Sequence, residues 1–180
     1  TTLPSLTFKQ HTGHSGYDQF GYYVSAGGDF DGDNANDIVV VARADDRPNN
    51  LSTNNNYETV GDCGGSQNNV GAVHVFRGST SGLPDTQPIL VQFGQDPGQN
   101  MEIAEGGGDF NGDGYDDIAY GMLSYDIQGT NNVGAFGLVF GRAPVEGKVI
   151  VNCTPDVLVE GTGAGNNLGR SLTFLGDIDG

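Results

Sequence analysis

Apolar residues along this chain fall in short runs separated by polar, glycine-rich stretches. Examples are Leu6-Thr7-Phe8, Ile38-Val39-Val40-Val41, Ile89-Leu90-Val91, Val149-Ile150-Val151 and Val157-Leu158-Val159. Each is strand-length and many of the residues are β-branched, whereas a helix needs a longer segment with apolar positions every three or four residues. The pattern predicts an all-β chain of many short strands with turns between them.

The runs recur in a fixed order. Residues 20–42 read FGYYVSAGGDFDGDNANDIVVVA, and residues 101–121 read MEIAEGGGDFNGDGYDDIAYG. A third copy opens at Leu168-Gly169-Arg170 and reaches Asp177-Ile178-Asp179-Gly180. A second shared block follows each complete copy: Val70-Gly71-Ala72-Val73-His74-Val75-Phe76-Arg77-Gly78 matches Val133-Gly134-Ala135-Phe136-Gly137-Leu138-Val139-Phe140-Gly141. With one further apolar run ahead of each motif, every unit reads as four strands, which is the make-up of a β-propeller blade. The units are 1–82, 83–145 and 146–180, the last being the first half of a repeat. The expected architecture is a partial propeller of about two and a half four-stranded antiparallel blades. Closure needs at least about four blades. The functional object is therefore expected to be larger, through continuation of the chain or association of copies as a homo-oligomer.

Between the first shared strands lie Asp29-x-Asp31-x-Asp33-Asn34-x-x-Asp37 and Asp109-x-Asn111-x-Asp113-Gly114-x-x-Asp117. Calcium takes six to eight oxygens, and alternate positions of a tight loop can direct oxygens inward. The side chains of Asp29, Asp31, Asp33 and Asp37, with the carbonyl of Ala35, are the expected ligands of one Ca2+. Asp109, Asn111, Asp113 and Asp117, with the carbonyl of Tyr115, are those of a second. Position 6 must turn sharply, which suits Gly114 and is tolerated by Asn34. The third copy offers only Asp177 and Asp179 and is not expected to hold an ion. An EF-hand would need Glu at position 12 and flanking helices. Val40 and Tyr120 stand there instead, within strand-like runs.

The series Phe20-Gly21, Gly28-Asp29-Phe30-Asp31-Gly32-Asp33, Asp37-Ile38 and Gly71-Ala72-Val73 resembles the FG-GAP repeat of integrin α-subunits and related surface proteins. The resemblance implies a β-propeller with calcium in hairpin loops on one face, extracellular or at the cell surface. The expected role is a calcium-rigidified scaffold or adhesion module that binds a protein or glycan ligand or assembles with copies of itself. The alternative is a non-catalytic propeller portion of a larger secreted enzyme that degrades polysaccharide or phospholipid.

Composition narrows the field. With 7 Lys+Arg against 23 Asp+Glu and a net charge of −16, nucleic acid and anionic membrane surfaces are excluded as partners. No apolar run approaches the length of a membrane helix, so no membrane insertion is expected. Catalytic residues are not expected either, since most motif Asp residues are committed to metal. His11-x-x-His14 is a weak metal pair, and His74 alternates with Val73 and Val75 and should face away from them. Cys63 and Cys153 leave two states open, one disulfide or two free thiols. Asn50-Leu51-Ser52 and Asn152-Cys153-Thr154 are glycosylation sequons. The segment of about Ala44–Asn69 is polar and turn-forming, an insertion expected on the surface, or alternatively a ligand-facing loop.

Overall fold

A computed structural model describes residues 18–49, 51, 54–80, 85 and 87–175. The third Asp motif, His11 and His14 lie outside the described residues. Those described form strands and no α-helix: β1 (Phe20–Gly28), β2 (Asp37–Ala42), β3 (Tyr57–Val60), β4 (Ala72–Phe76), β5 (Pro88–Phe93), β6 (Met101–Gly108), β7 (Asp117–Met122), β8 (Ala135–Val139), β9 (Val149–Asn152) and β10 (Val157–Glu160). One sheet has six strands in the order β1-β2-β4-β5-β9-β3; the other has four, β10-β8-β7-β6. The chain is all-β.

Within the larger sheet, β1-β2-β4-β5 is an antiparallel meander. The smaller sheet repeats it as β6-β7-β8-β10. Even the irregularities match: the register shifts between Phe20 and Tyr23 and between Ala26 and Gly28 in β1 recur between Met101 and Ile103 and between Gly106 and Gly108 in β6. The runs Ile89-Leu90-Val91 and Val157-Leu158-Val159 pair with β4 and β8. Each closes the meander whose Asp loop precedes it. Grouping by hydrogen bonds therefore differs from the division at 82 and 145, which attached these runs to the motif that follows. An edge strand needs only an antiparallel neighbour nearby in sequence, and β4 and β8 supply it.

Two strands have no counterpart in the repeat. β9 leaves the second meander to pair in parallel with β5, and β3, from the insertion after β2, pairs in parallel with β9. Cys63 and Cys153 are disulfide-bonded just beyond these strands, with Cα atoms 5.0 Å apart. Leu51, Cys63, Val70, Ala72, Val91, Phe93, Val151 and Cys153 form a small core there. The insertion is thus not simply a surface loop: it buries Arg47, whose guanidinium donates to the carbonyl of Gly94 at 2.9 Å. Its polar composition hides this, because its apolar contacts come from a few isolated residues. Asn152 is fully buried beside the disulfide, so its sequon is closed in the folded state.

The main core lies between the meanders, where Val39, Val41, Val73, Val75 and Leu90 meet Met101, Ala104, Ile118, Tyr120 and Met122. His74 faces away from Val73 and Val75, as the alternation requires, stacked on Phe76 and 3.0 Å from the Asp45 carboxylate. The first strands of the two meanders, β1 and β6, cross at very short range. A Cβ on Gly106 would stand 2.6 Å from the carbonyl oxygen of Gly27, and one on Gly28 2.5 Å from the Cα of Gly107. The Ser25 hydroxyl donates to the Ala104 carbonyl at 2.7 Å, and the Tyr23 hydroxyl donates to Glu105. The far face of the second meander is apolar as well. Phe110, Ala119, Phe136 and Leu138 line a cleft of about 670 Å³ with Leu172–Leu175.

Two outcomes follow for stability. Gly106→Ala should cost about 1–3 kcal/mol through overpacking at the crossing, whereas Gly65→Ala, in open space, should be near neutral; urea unfolding of the pair reads this. Reducing the Cys63–Cys153 bond, which spans 90 residues, should cost about 2–5 kcal/mol, read as a lower unfolding midpoint in reductant.

Candidate metal centre

Each Asp loop joins the first two strands of a meander, β1 to β2 and β6 to β7. The short acidic side chains turn back on the loop's own backbone, which lets nine residues reverse direction without a regular ladder. The N–H of Asn34 donates to Asp29 Oδ2 at 2.9 Å, that of Asp33 to Asp31 Oδ1 at 3.2 Å and that of Ala35 to Asp33 Oδ1 at 2.8 Å. The second loop makes the same three bonds: Gly114 to Asp109 Oδ2 at 2.8 Å, Asp113 to Asn111 Oδ1 at 3.0 Å and Tyr115 to Asp113 Oδ1 at 3.0 Å. Position 6 is left-handed in both, with φ of 66° at Asn34 and 93° at Gly114. The expectation for that position holds.

The ninth position ties loop to sheet. Both oxygens of Asp37 accept backbone N–H groups, from Phe30 at 3.0 Å and from Gly78 at 2.8 Å. Asp117 does the same with Phe110 at 2.7 Å and Gly141 at 2.9 Å. Both carboxylates are buried, 1% and 0% exposed. Burial pushes the Asp37 carboxyl up to about 6, with the Asp31 and Asp33 charges adding to it and the Gly78 and Phe30 N–H groups opposing. Burial likewise raises Asp117, against the N–H groups of Gly141 and Phe110.

The loops differ in how closely their carboxylates gather. Ligand oxygens of Asp29, Asp31 and Asp37 lie within 4.8 Å of one another. Asp29 Oδ1 is buried there with no hydrogen-bond donor. An orphaned buried acceptor among like charges fits a cation, which would satisfy the oxygen and relieve the repulsion. Asp33 stands outside this trio, 3.7 Å from the Arg77 guanidinium, which pairs with Asp31 at 2.5 Å. The second loop, with Asn111 in place of the third-position Asp, forms no group of three carboxylates among the described residues. Asp109, Asn111 and Asp113 are exposed, and the Asn111 amide donates to Asp113 at 2.9 Å. Hard oxygen donors of this kind suit a divalent ion such as calcium or magnesium and offer nothing to a soft metal. Compared with known protein-family models and with curated protein sequences, the chain has no match in either.

Sequence reasoning did not single out two residues that shape the site. Arg77 sits in the shared block where the second copy has Phe140, so a charge present in one repeat and missing from the other was the available signal. Asp116, beside the ninth-position Asp117, reaches across to the first loop and accepts the Asp29 N–H at 2.8 Å.

The raised Asp37 value has a testable sign. In chelator, its contribution to stability is present in full below the ordinary carboxylate value near 4 and is lost as pH rises through about 6. The stability gap between wild type and Asp37→Asn should therefore narrow as pH rises from 4 to 7. Urea unfolding across that range measures it, and a constant or widening gap contradicts the assignment.

Proposed function

We propose that this chain is a calcium-stabilised part of an extracellular β-propeller, of the FG-GAP kind, serving as a scaffold or adhesion module for a protein or glycan ligand. The observation that carries the reading is the recurrence of one nine-residue oxygen-rich loop at the same place in two matching four-stranded meanders, with the same internal hydrogen bonds. Two such meanders, crossing at their first strands over an apolar core, are what neighbouring blades require. The apolar far face of the second meander suits packing against a further blade. In this reading calcium replaces the missing donor at Asp29 and holds Asp31 and Asp37 together, so the loops become rigid and present a fixed face. The Cys63–Cys153 disulfide supports an oxidising compartment. The chain itself is assigned no catalysis; its role is to hold a surface in shape.

Calcium bound only by the folded state stabilises by mass action, about 2.7 kcal/mol per site at a hundredfold excess over Kd. For a chain of this size that is worth about 5–10 °C. Melting curves in millimolar calcium and in excess chelator should differ by at least that much. Superimposable curves would overturn the calcium reading.

A further inference from the structure

Loop one is gripped by residues that belong to loop two and its meander. Asp116 accepts the Asp29 N–H through Oδ2 at 2.8 Å, and its own N–H donates to the Asp29 carbonyl at 3.1 Å. One residue on, the Arg142 N–H donates to the Phe30 carbonyl at 3.0 Å. The Tyr115 ring lies over Gly32, where a Cβ would come within 2.7 Å of it. Gly28 closes the contact, since a Cβ there would stand 2.3 Å from Asp116 Oδ2. Both backbone groups of Asp29, the first expected ligand, are thus bonded to the neighbouring meander rather than to its own.

We propose that Asp116 is a positioning residue for the cation site of the first loop, so that this site takes its working geometry only when the second meander is docked against it. The proposal rests on the calcium reading above. Asp116 is not one of the three carboxylates gathered at the site. It fixes the backbone of Asp29, the residue that carries the orphaned Oδ1. Shortening the clamp leaves all four expected side-chain ligands in place yet loosens the first of them. Groups that hold a metal ligand in place typically change affinity by about 10–100-fold when removed. The structural asymmetry between the loops agrees with this. Asp29, whose backbone is clamped, is half-buried beside Asp31 and Asp37, whereas Asp109, which is not held in this way among the described residues, is exposed.

The test is calcium titration calorimetry on the whole chain, in a background where Asp113→Ala disables the second loop. That background should take up one calcium at the first loop. Adding Asp116→Ala should weaken the uptake by about 10–100-fold. Asp116→Asn, whose amide oxygen can still accept the Asp29 N–H, should restore most of it. The Asn rescue separates positioning from general loss of fold, as does an unchanged near-ultraviolet dichroism of the alanine variant in saturating calcium. Equal affinity in the Asp116→Ala variant, or an Asn variant as weak as the Ala one, overturns the proposal while leaving the calcium reading standing. A wild-type chain that takes up no calcium overturns that reading, and this inference with it.

Discussion

A buried carboxylate that accepts two backbone N–H groups is the interaction on which both meanders depend. Asp37 joins the start of its loop, at Phe30, to the chain beyond β4, at Gly78; Asp117 joins Phe110 to Gly141 beyond β8. Without these bonds two backbone donors would end at the rim of each meander with no ladder to receive them. Neutral side chains with one acceptor could not satisfy two donors from different directions so well. The arrangement carries a cost, because burying a charged group raises the free energy of its ionised form. In the first loop that cost is compounded by Asp29 and Asp31 close by. Arg77 offsets part of that cost by pairing with Asp31 and approaching Asp33 at 3.7 Å.

From that constraint the rest of the organisation can be traced. Each loop is anchored to its own sheet by the ninth-position Asp, and the first is also anchored to the neighbouring sheet through Asp116. The crossing of β1 and β6 at Gly27, Gly28, Gly106 and Gly107 is what brings the loops within reach. A side chain at Gly28 or Gly106 would meet the facing meander at 2.6 Å or less and push the two apart, separating loop one from its clamp. Glycines at this point therefore serve packing and the site together. The parallel β3–β9 pair and the Cys63–Cys153 bond act at the opposite edge of the larger sheet. They close an edge strand that would otherwise present unpaired backbone groups beside β5.

Much of this was legible in the sequence because it is local. The four-strand make-up, the positions of both Asp loops, the left-handed turns at Asn34 and Gly114 and the placing of His74 on the sheet face opposite Val73 and Val75 all follow from spacing within ten or so residues. What was not legible depends on distant partners. Nothing in Val149-Ile150-Val151 says that it will cross to β5, since parallel pairing carries no hairpin signal. The assignment of Ile89-Leu90-Val91 to the preceding meander is equally a matter of which neighbour is nearer in space. Arg47, Leu51 and Cys63 reach a core from a segment whose composition reads as loop. Asp116 is hidden by its neighbour: in Asp116-Asp117 one residue serves its own sheet and the other serves the next.

The calcium proposal requires a cation in both loops of the folded chain. The most direct test is a crystal structure grown in calcium, with anomalous difference density calculated at a wavelength where calcium scatters. The account predicts a peak in each loop, with oxygens of Asp29, Asp31, Asp33, Asp37 and Ala35 around one and of Asp109, Asn111, Asp113, Asp117 and Tyr115 around the other, at about 2.3–2.6 Å. Refined loops with no peak in saturating calcium, and with Asp29 Oδ1 bonded to water or protein instead, would contradict it.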